Sequence, residues 1–312
     1  DRIFNSTIDM LGAANFEGYF VQLNDAWSDV LGWTREELMA EPFVSFVHPD
    51  DVEATLAEAG ELADGATVVE FTNRYRKKDG DYLWISWKSV PDMESGRINF
   101  VARDITKQRA NEEEIKYRAT RMEAVTQISS AIAGILEVDE LLQRVSDLTA
   151  EQLDHYHAQV YLLNEEGDTL TLRAGSGETG RMMVGGGHQI LMDANSLVAI
   201  AARERDVVLS NDVMSNPNYL PNPLLPRTAS ELAVPIIYGS ELLGVLDIQD
   251  EEFDAFTDVE VQVKRTLANQ VAVSIQNARQ FELTQVRLQE VLATNAIADF
   301  VRESTELENM LE

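Results

Sequence analysis

Four histidines and no cysteine set the first limits on the chemistry open to this chain. Without a thiol there can be no disulfide, no thiolate nucleophile, no zinc–thiolate site and no thioether-linked cofactor. His155 and His157 in "LDHYHAQV" stand two apart, so on a strand they would share a face and could share a metal. No third ligand lies near them, and neither metal nor haem ligation is expected there. His48 in "VHPDD" falls at a helix start, where a capping role suffices. His188 follows "GGG", yet a phosphate-cradling loop needs glycines at set spacing with Lys-Ser/Thr opening a helix, which "GGGHQI" lacks. "GSGETG" does not match the Gly-x-Ser-x-Gly elbow of a serine nucleophile. The abundant carboxylates fall along helix faces, where solvation accounts for them. No catalytic residue and no metal site is expected.

The length, 312 residues, suits two domains plus connecting segments, and 45% hydrophobic residues are enough for two cores. A formal charge of −29 would repel phosphate backbones and anionic membranes alike, so neither nucleic acid nor a membrane is an expected partner. No apolar run reaches the roughly 18 to 20 residues of a membrane span, and "DRIFNSTIDM" has no signal-peptide pattern. A cytoplasmic segment is the expectation.

The elements begin with an expected amphipathic helix over residues 1–12, from the spacing of Ile3, Phe4, Ile8 and Leu11. "GYFVQLN" alternates like a strand. Thr34 with Glu37 three residues on forms a capping box ahead of Leu38. "HPDDVEATLAEAGELADG" opens with proline and acids and closes on glycine, a helix. Three extended runs follow, the first two joined by an Asp-Gly turn. The pattern is α+β with an antiparallel sheet.

"LNDAWSDVLGWTREELMAEPFVSFVHPDD", "RYRKKDGDYLWISW" and "FVARDITKQR" resemble the signature regions of a PAS sensor domain, placed here at residues 1–107. The resemblance implies a five-stranded antiparallel sheet with helices over one face and a pocket between them. Phe20, Trp27, Phe43, Phe46, Phe71, Trp84 and Phe100 are the candidate pocket lining. Asp104, Ile105 and Thr106 are the candidate transmission residues, tying the last strand to the helix that follows.

Residues 108–121 read as a linker helix within a helical run from Thr106 to about Val138, whose narrow apolar stripe of Ile115, Ala119, Met122 and Val125 suits a partner helix. Residues 122–281 resemble a GAF domain, carried by "NDVMSNPNYLPNPLLPRTASELAVPI", "LLGVLDIQ" and "LANQVAVSIQNAR". That implies a second antiparallel sheet with helices. The proline-rich stretch "NPNYLPNPLLP" reads as a stiff cover over this sheet. Tyr219, Leu220, Leu225, Arg227 and Leu232 are the candidate ligand residues, with Arg227 free to meet an anion or to pair with Glu231. Asn211 is followed by Asp212, and "FTDVE" lacks the adjacent acidic pair of cyclic-nucleotide-binding GAF domains. The lack of cysteine excludes covalent bilins and cysteinyl-flavin photochemistry. The cofactor is otherwise unknown.

Thr257 and Glu260 mark a second capping box at the start of a long last helix. Residues 282–312 read as a C-terminal helix whose apolar pattern repeats that of the GAF entry. Ile297 falls on Ile128, Val301 on Ile132 and Leu311 on Leu142, an offset of 297 − 128 = 169, as at the start of a further GAF-like module. Phe281, Leu288 and Asn295 continue the spine at seven-residue spacing. The expectation is two sensor domains joined by a long signalling helix or coiled coil. The segment is non-catalytic, a parallel homodimer, and passes a conformational signal from a small ligand to a downstream effector such as a histidine kinase. The competing expectation is a dimerisation scaffold whose pockets are filled by side chains.

Overall fold

The computed structural model describes residues 2–66 and 68–311, with side chains described for all of these but residues 2, 3, 68, 69 and 296–311. By internal packing the chain divides into two units between Lys116 and Tyr117. The expected repeat through Ile297, Val301 and Leu311 falls on side chains outside the described residues.

The first unit runs α1 (Arg2–Ser6), β1 (Met10–Asn15), β2 (Phe20–Leu23), α2 (Ala26–Leu31), α3 (Arg35–Ala40), α4 (Val52–Ala63), β3 (Val68–Arg76), β4 (Tyr82–Asp92) and β5 (Arg97–Asp104). The strands form an antiparallel sheet in the order β2-β1-β5-β4-β3. Thr34 caps α3 through the full reciprocal box with Glu37, and His48 accepts the Asp50 N–H at 3.3 Å to start the turn before α4. Gly80, at φ +101°, supplies the left-handed residue of the β3–β4 turn.

The expected helix over residues 1–12 is corrected: it stops at Ser6, Ile8 is exposed, and Leu11 lies in β1. β1 reads "MLGAAN" because the Phe100 ring of β5 lies across it. A Cβ on Gly12 would sit 2.7 Å from that ring. Small residues there erase the alternation that marks a strand in the sequence.

The second unit begins within α5 (Thr106–Ile132) and continues through α6 (Val138–Gln152), β6 (His157–Leu163), β7 (Thr169–Gly175), α7 (Gly177–Gly185), β8 (Gln189–Leu191), α8 (Leu197–Glu204), β9 (Val208–Ser210), β10 (Ser230–Tyr238), β11 (Glu241–Asp250) and α9 (Asp258–Leu311). Its antiparallel sheet has the order β8-β7-β6-β11-β10-β9. One face packs on Val125, Ile128 and Ile132 of α5, on α6, and on Val263, Leu267, Val271 and Ile275 of α9. The other packs on α8 and the loop that carries Leu225. A sheet covered on both faces explains why β10 and β11 read as nearly unbroken apolar runs.

Helix α7 was not legible beforehand. It forms from a glycine-rich stretch because Gly180 stacks backbone to backbone on Gly175 of β7, where a Cβ would meet main-chain atoms at 2.0 Å.

Candidate functional site

Strand parity decides what faces each cavity. In the first unit Phe71, Asn73 and Tyr75 of β3 and Trp87 and Ser89 of β4 line a cavity of about 70 Å³ with Phe20, Phe43, Ile98, Phe100, Thr55 and Leu62. Three of its polar side chains form one chain: Trp87 Nε1–H donates to Asn73 Oδ1 at 2.7 Å, Asn73 Nδ2 donates to Thr55 Oγ1 at 3.0 Å, and Thr55 donates to the Asp51 carbonyl at 2.7 Å. Of the expected lining, Phe20, Phe43, Phe71 and Phe100 meet there. Trp27 is fully buried in the core, donating to the Leu11 carbonyl, and Phe46 packs on Trp33.

Trp84 sits on the other sheet face, three residues from Trp87, under the guanidinium groups of Arg74 and Arg109, 5.3 and 4.0 Å from its ring centroid. Trp84 is also where the sheet grips the next helix. Its N–H donates to Thr106 Oγ1 at 2.8 Å and its carbonyl accepts from Ile105 N–H at 2.9 Å, while Asp104 Oδ1 accepts from Thr106 N–H at 2.8 Å. The three residues at the end of β5 and the start of α5 thus share one backbone-to-side-chain network.

In the second unit a cleft of about 310 Å³ lies between the sheet and the proline-rich segment, with Leu220, Pro221, Asn222 and Pro223 on one side. On the sheet side are Gln159 and Tyr161 of β6, Glu231 of β10, and Asp247 and Gln249 of β11, with His188 at the edge. Asp247 is fully buried. Its Oδ2 accepts from Gln159 Nε2 at 2.7 Å and from Gln249 Nε2 at 2.9 Å, while Gln249 Oε1 accepts from Thr228. Asp247 Oδ1 and Gln159 Oε1 accept from no amide or hydroxyl group of the protein.

Burial, and then the neighbouring Asp247, pushes the Glu231 carboxyl well above the usual carboxylate range. Burial raises Asp247 as well, against the hydrogen bonds from Gln159, Gln249 and Glu231. Glu231 therefore holds a proton that it shares with Asp247.

Of the residues expected around this cleft, Leu220 lines it. Leu225 is buried at the base of the loop, and Tyr219 is half-buried beside Thr228. Leu232 points to the opposite core, since it alternates with Glu231. Arg227 is exposed, pairs with Glu251 at 2.9 Å and not with Glu231, and stacks on Tyr156.

Glu231, Asp247, Gln159 and Gln249 were not among the residues expected at the cleft. The available signal was an acid inside each otherwise buried strand, in "SELAV" and "VLDIQ".

A second buried polar group sits behind the sheet. His155 Nδ1 lies 2.9 Å from Asp250 Oδ2 at the end of β11, and since a carboxylate only accepts, Nδ1 carries the hydrogen. His155 Nε2 is 3.8 Å from Glu260 on α9. Glu260 also meets Arg121 at 2.9 Å, and Lys264 and Tyr117 directly. Its N–H reaches Thr257 Oγ1 at 3.4 Å, so Thr257 does cap α9. The carboxylate does not close the expected box and instead turns inward. Burial pulls the Lys264 ammonium down to about 7, Arg121 adds to that, and the Asp250 carboxylate opposes them. His157, bonded to Ser176 Oγ at 3.0 Å, is drawn down to about 4 by burial.

Among the described residues, no group of three or more His, Asp or Glu is placed to hold a metal ion, and no helix is long and apolar enough to cross a membrane. Along the helices, Ile115, Phe281, Leu288 and Asn295 are exposed, whereas Met122 is half-buried against the core of the second unit.

A family model described as PAS fold matches residues 20–102, and one described as GAF domain matches residues 135–276. The aerotaxis receptor of Escherichia coli (strain K12) is 26% identical over 90 residues, 29% of this chain and 18% of that protein. The match thus spans less than a fifth of the receptor. Among solved structures, the GAF domain of a phosphoenolpyruvate-protein phosphotransferase from Coxiella burnetii is 23% identical, with 53% of this chain and 98% of that one covered and a TM-score of 0.49. The free methionine-R-sulfoxide reductase from Neisseria meningitidis is 21% identical, with 53% and 93% covered and a TM-score of 0.47. The chain carries a PAS fold followed by a GAF domain, two domains of the sensory class.

Proposed function

We propose that this segment is a non-catalytic sensor: a small ligand held in the GAF cleft, the PAS cavity or both biases a helical spine that signals to a downstream effector such as a histidine kinase. The observation that carries the reading is the course of β11. It places Asp247 in the cleft and, three residues on, Asp250 against His155, which stands beside Glu260 at the start of α9. A ligand that shifts β11 therefore acts on the helix leaving the domain. In this reading the spine is a parallel homodimer, with Ile115, Phe281 and Leu288 as its apolar contacts and Asn295 as a polar register position. A differential affinity of about 1 to 3 kcal/mol would give a graded bias, well below the roughly 5.5 kcal/mol of a full two-state switch. Native mass spectrometry of the purified segment tests it: a retained small molecule on a dimer is expected, and an empty monomer contradicts it.

For the PAS unit alone, the scaffold reading has one observation in its favour. A cavity of about 70 Å³, with Trp87, Asn73 and Thr55 bonded to one another, holds little more than water. The PAS unit would then transmit through Asp104, Ile105 and Thr106 what a partner imposes on its surface.

A further inference from the structure

We infer that the GAF cleft takes a small organic cation, bound through an ammonium or guanidinium group by Asp247, Gln159 and Glu231. This rests on the ligand-sensing reading above and names the chemical class of the ligand.

Three observations point to a cation. The groups at the sheet side with unused capacity are both acceptors. Apart from the proton Asp247 shares with Glu231, Asp247 Oδ1 and Gln159 Oε1 have no hydrogen-bond partner, and their residues are 0% and 2% exposed. The orientation of Gln159 is fixed, because its amide N–H must face the carboxylate, so its carbonyl oxygen has only a loose contact with His157 and can accept from a better-placed donor. An unpaired buried acceptor is costly, and a ligand donor would relieve that cost.

Next, the lining contains two carboxyl groups and no lysine or arginine. His188 does not supply the missing charge, since burial lowers its pKa. Arg227, the cation nearest in sequence, is held outside by Glu251 and Tyr156. An anion would meet uncompensated repulsion there, while a cation would let the shared proton leave and pair the two acids.

Size sets the third limit. A cleft of about 310 Å³ is at the lower end of small-molecule sites, which run from about 300 to 1,000 Å³. Tyr161 adds an aromatic group to the lining, and the prolines of the cover hold its shape at low entropy cost. With two carboxyl groups and no third acidic or histidine ligand among the described residues, an organic cation fits better than a metal ion.

The test is thermal melting of the whole segment near neutral pH with putrescine and agmatine as cations, butanediol and butylurea as neutral analogues, succinate as an anion, and calcium chloride as a bare metal. A cation is expected to raise Tm by about 5 °C at a hundredfold excess over its Kd. Asp247→Asn is expected to weaken that response at least about tenfold while melting as cooperatively as the parent, and Glu231→Gln serves as the second variant. The proposal is overturned by an equal response to the neutral analogues, by a response to calcium alone, by a cation response unchanged in both variants, or by folded protein that ignores both cations. A response confined to succinate or the neutral compounds would leave the sensor reading standing without it. No response to any compound, with no molecule retained in the native mass spectrum, would remove both.

Discussion

Arg121, near the start of the GAF unit, and Glu260, in the first turn of the helix that leaves it, are 2.9 Å apart, with the Glu260 side chain 2% exposed. The same carboxylate meets Lys264, Tyr117 and the edge of His155. One buried anion thus ties the entering helix, the leaving helix and the end of β11 together.

Removing that anion leaves the permanently charged Arg121 without its buried partner. Glu260→Gln is expected to cost about 3 to 5 kcal/mol in chemical denaturation, because Arg121 loses its counter-ion and Lys264, already drawn toward neutrality, loses its acceptor. Lys264→Met should cost less, since Arg121 and Tyr117 remain on Glu260. The double variant should recover part of the loss, with a coupling of about 1 to 3 kcal/mol. Strict additivity would mean that the four groups do not act as one node.

At the PAS boundary, Thr106→Val removes the acceptor of the Trp84 N–H and Asp104→Ala removes that of the Thr106 N–H. Each is expected to cost about 1 kcal/mol or a little more, without unfolding the sheet. Amide exchange at residues 84, 105 and 106 should speed up while exchange in β1 and β5 does not. Faster exchange across the whole sheet would show that these bonds hold the domain together and are not a local junction.

The acid pair in the GAF cleft predicts a pH dependence with a definite sign. Glu231 binds its proton more tightly folded than unfolded, so its contribution to stability is complete below the ordinary carboxylate range and is lost as pH rises toward the raised folded value. Asp247, Tyr161, Tyr219 and His188 are the titratable neighbours. His157 works in the opposite direction: drawn down to about 4, it removes stability as pH falls from about 6.5 toward that value. The comparison therefore belongs above pH of about 7. There Glu231→Gln, which mimics the protonated acid, should be more stable than the parent by a margin that grows with pH. A margin that stays constant would contradict a shared proton.

The exposed apolar positions of α9 predict the assembly. Leu288→Glu should lower the dimer fraction in sedimentation equilibrium and leave the melting of the GAF core unchanged, because Leu288 lies beyond the core residues of α9. An unchanged dimer fraction would put the contact elsewhere.

Fold class was legible from local chemistry. The Thr34–Glu37 box and the Asp79-Gly80 turn lie where spacing put them. What escaped was parity and burial on two faces. Trp84 and Trp87 look equivalent in "YLWISW", but a period of two sends only one toward the cavity. Leu232 looked like a ligand residue and Glu231 like a partner for Arg227. Because both faces of β10 are covered, the acid is the buried group in the cleft. Small residues in β1 and α7 hid those elements for a related reason: their spacing reflects what packs on them, not a polar and an apolar side.

The central claim, that occupancy of the cleft reaches the helices through β11 and Glu260, is tested most directly by hydrogen exchange with and without a compound that raises Tm. The account predicts altered protection at residues 117–121 and 258–264 as well as around the cleft, and loss of the distant part in Glu260→Gln. Changes confined to residues lining the cleft, with α5 and α9 untouched, would contradict it.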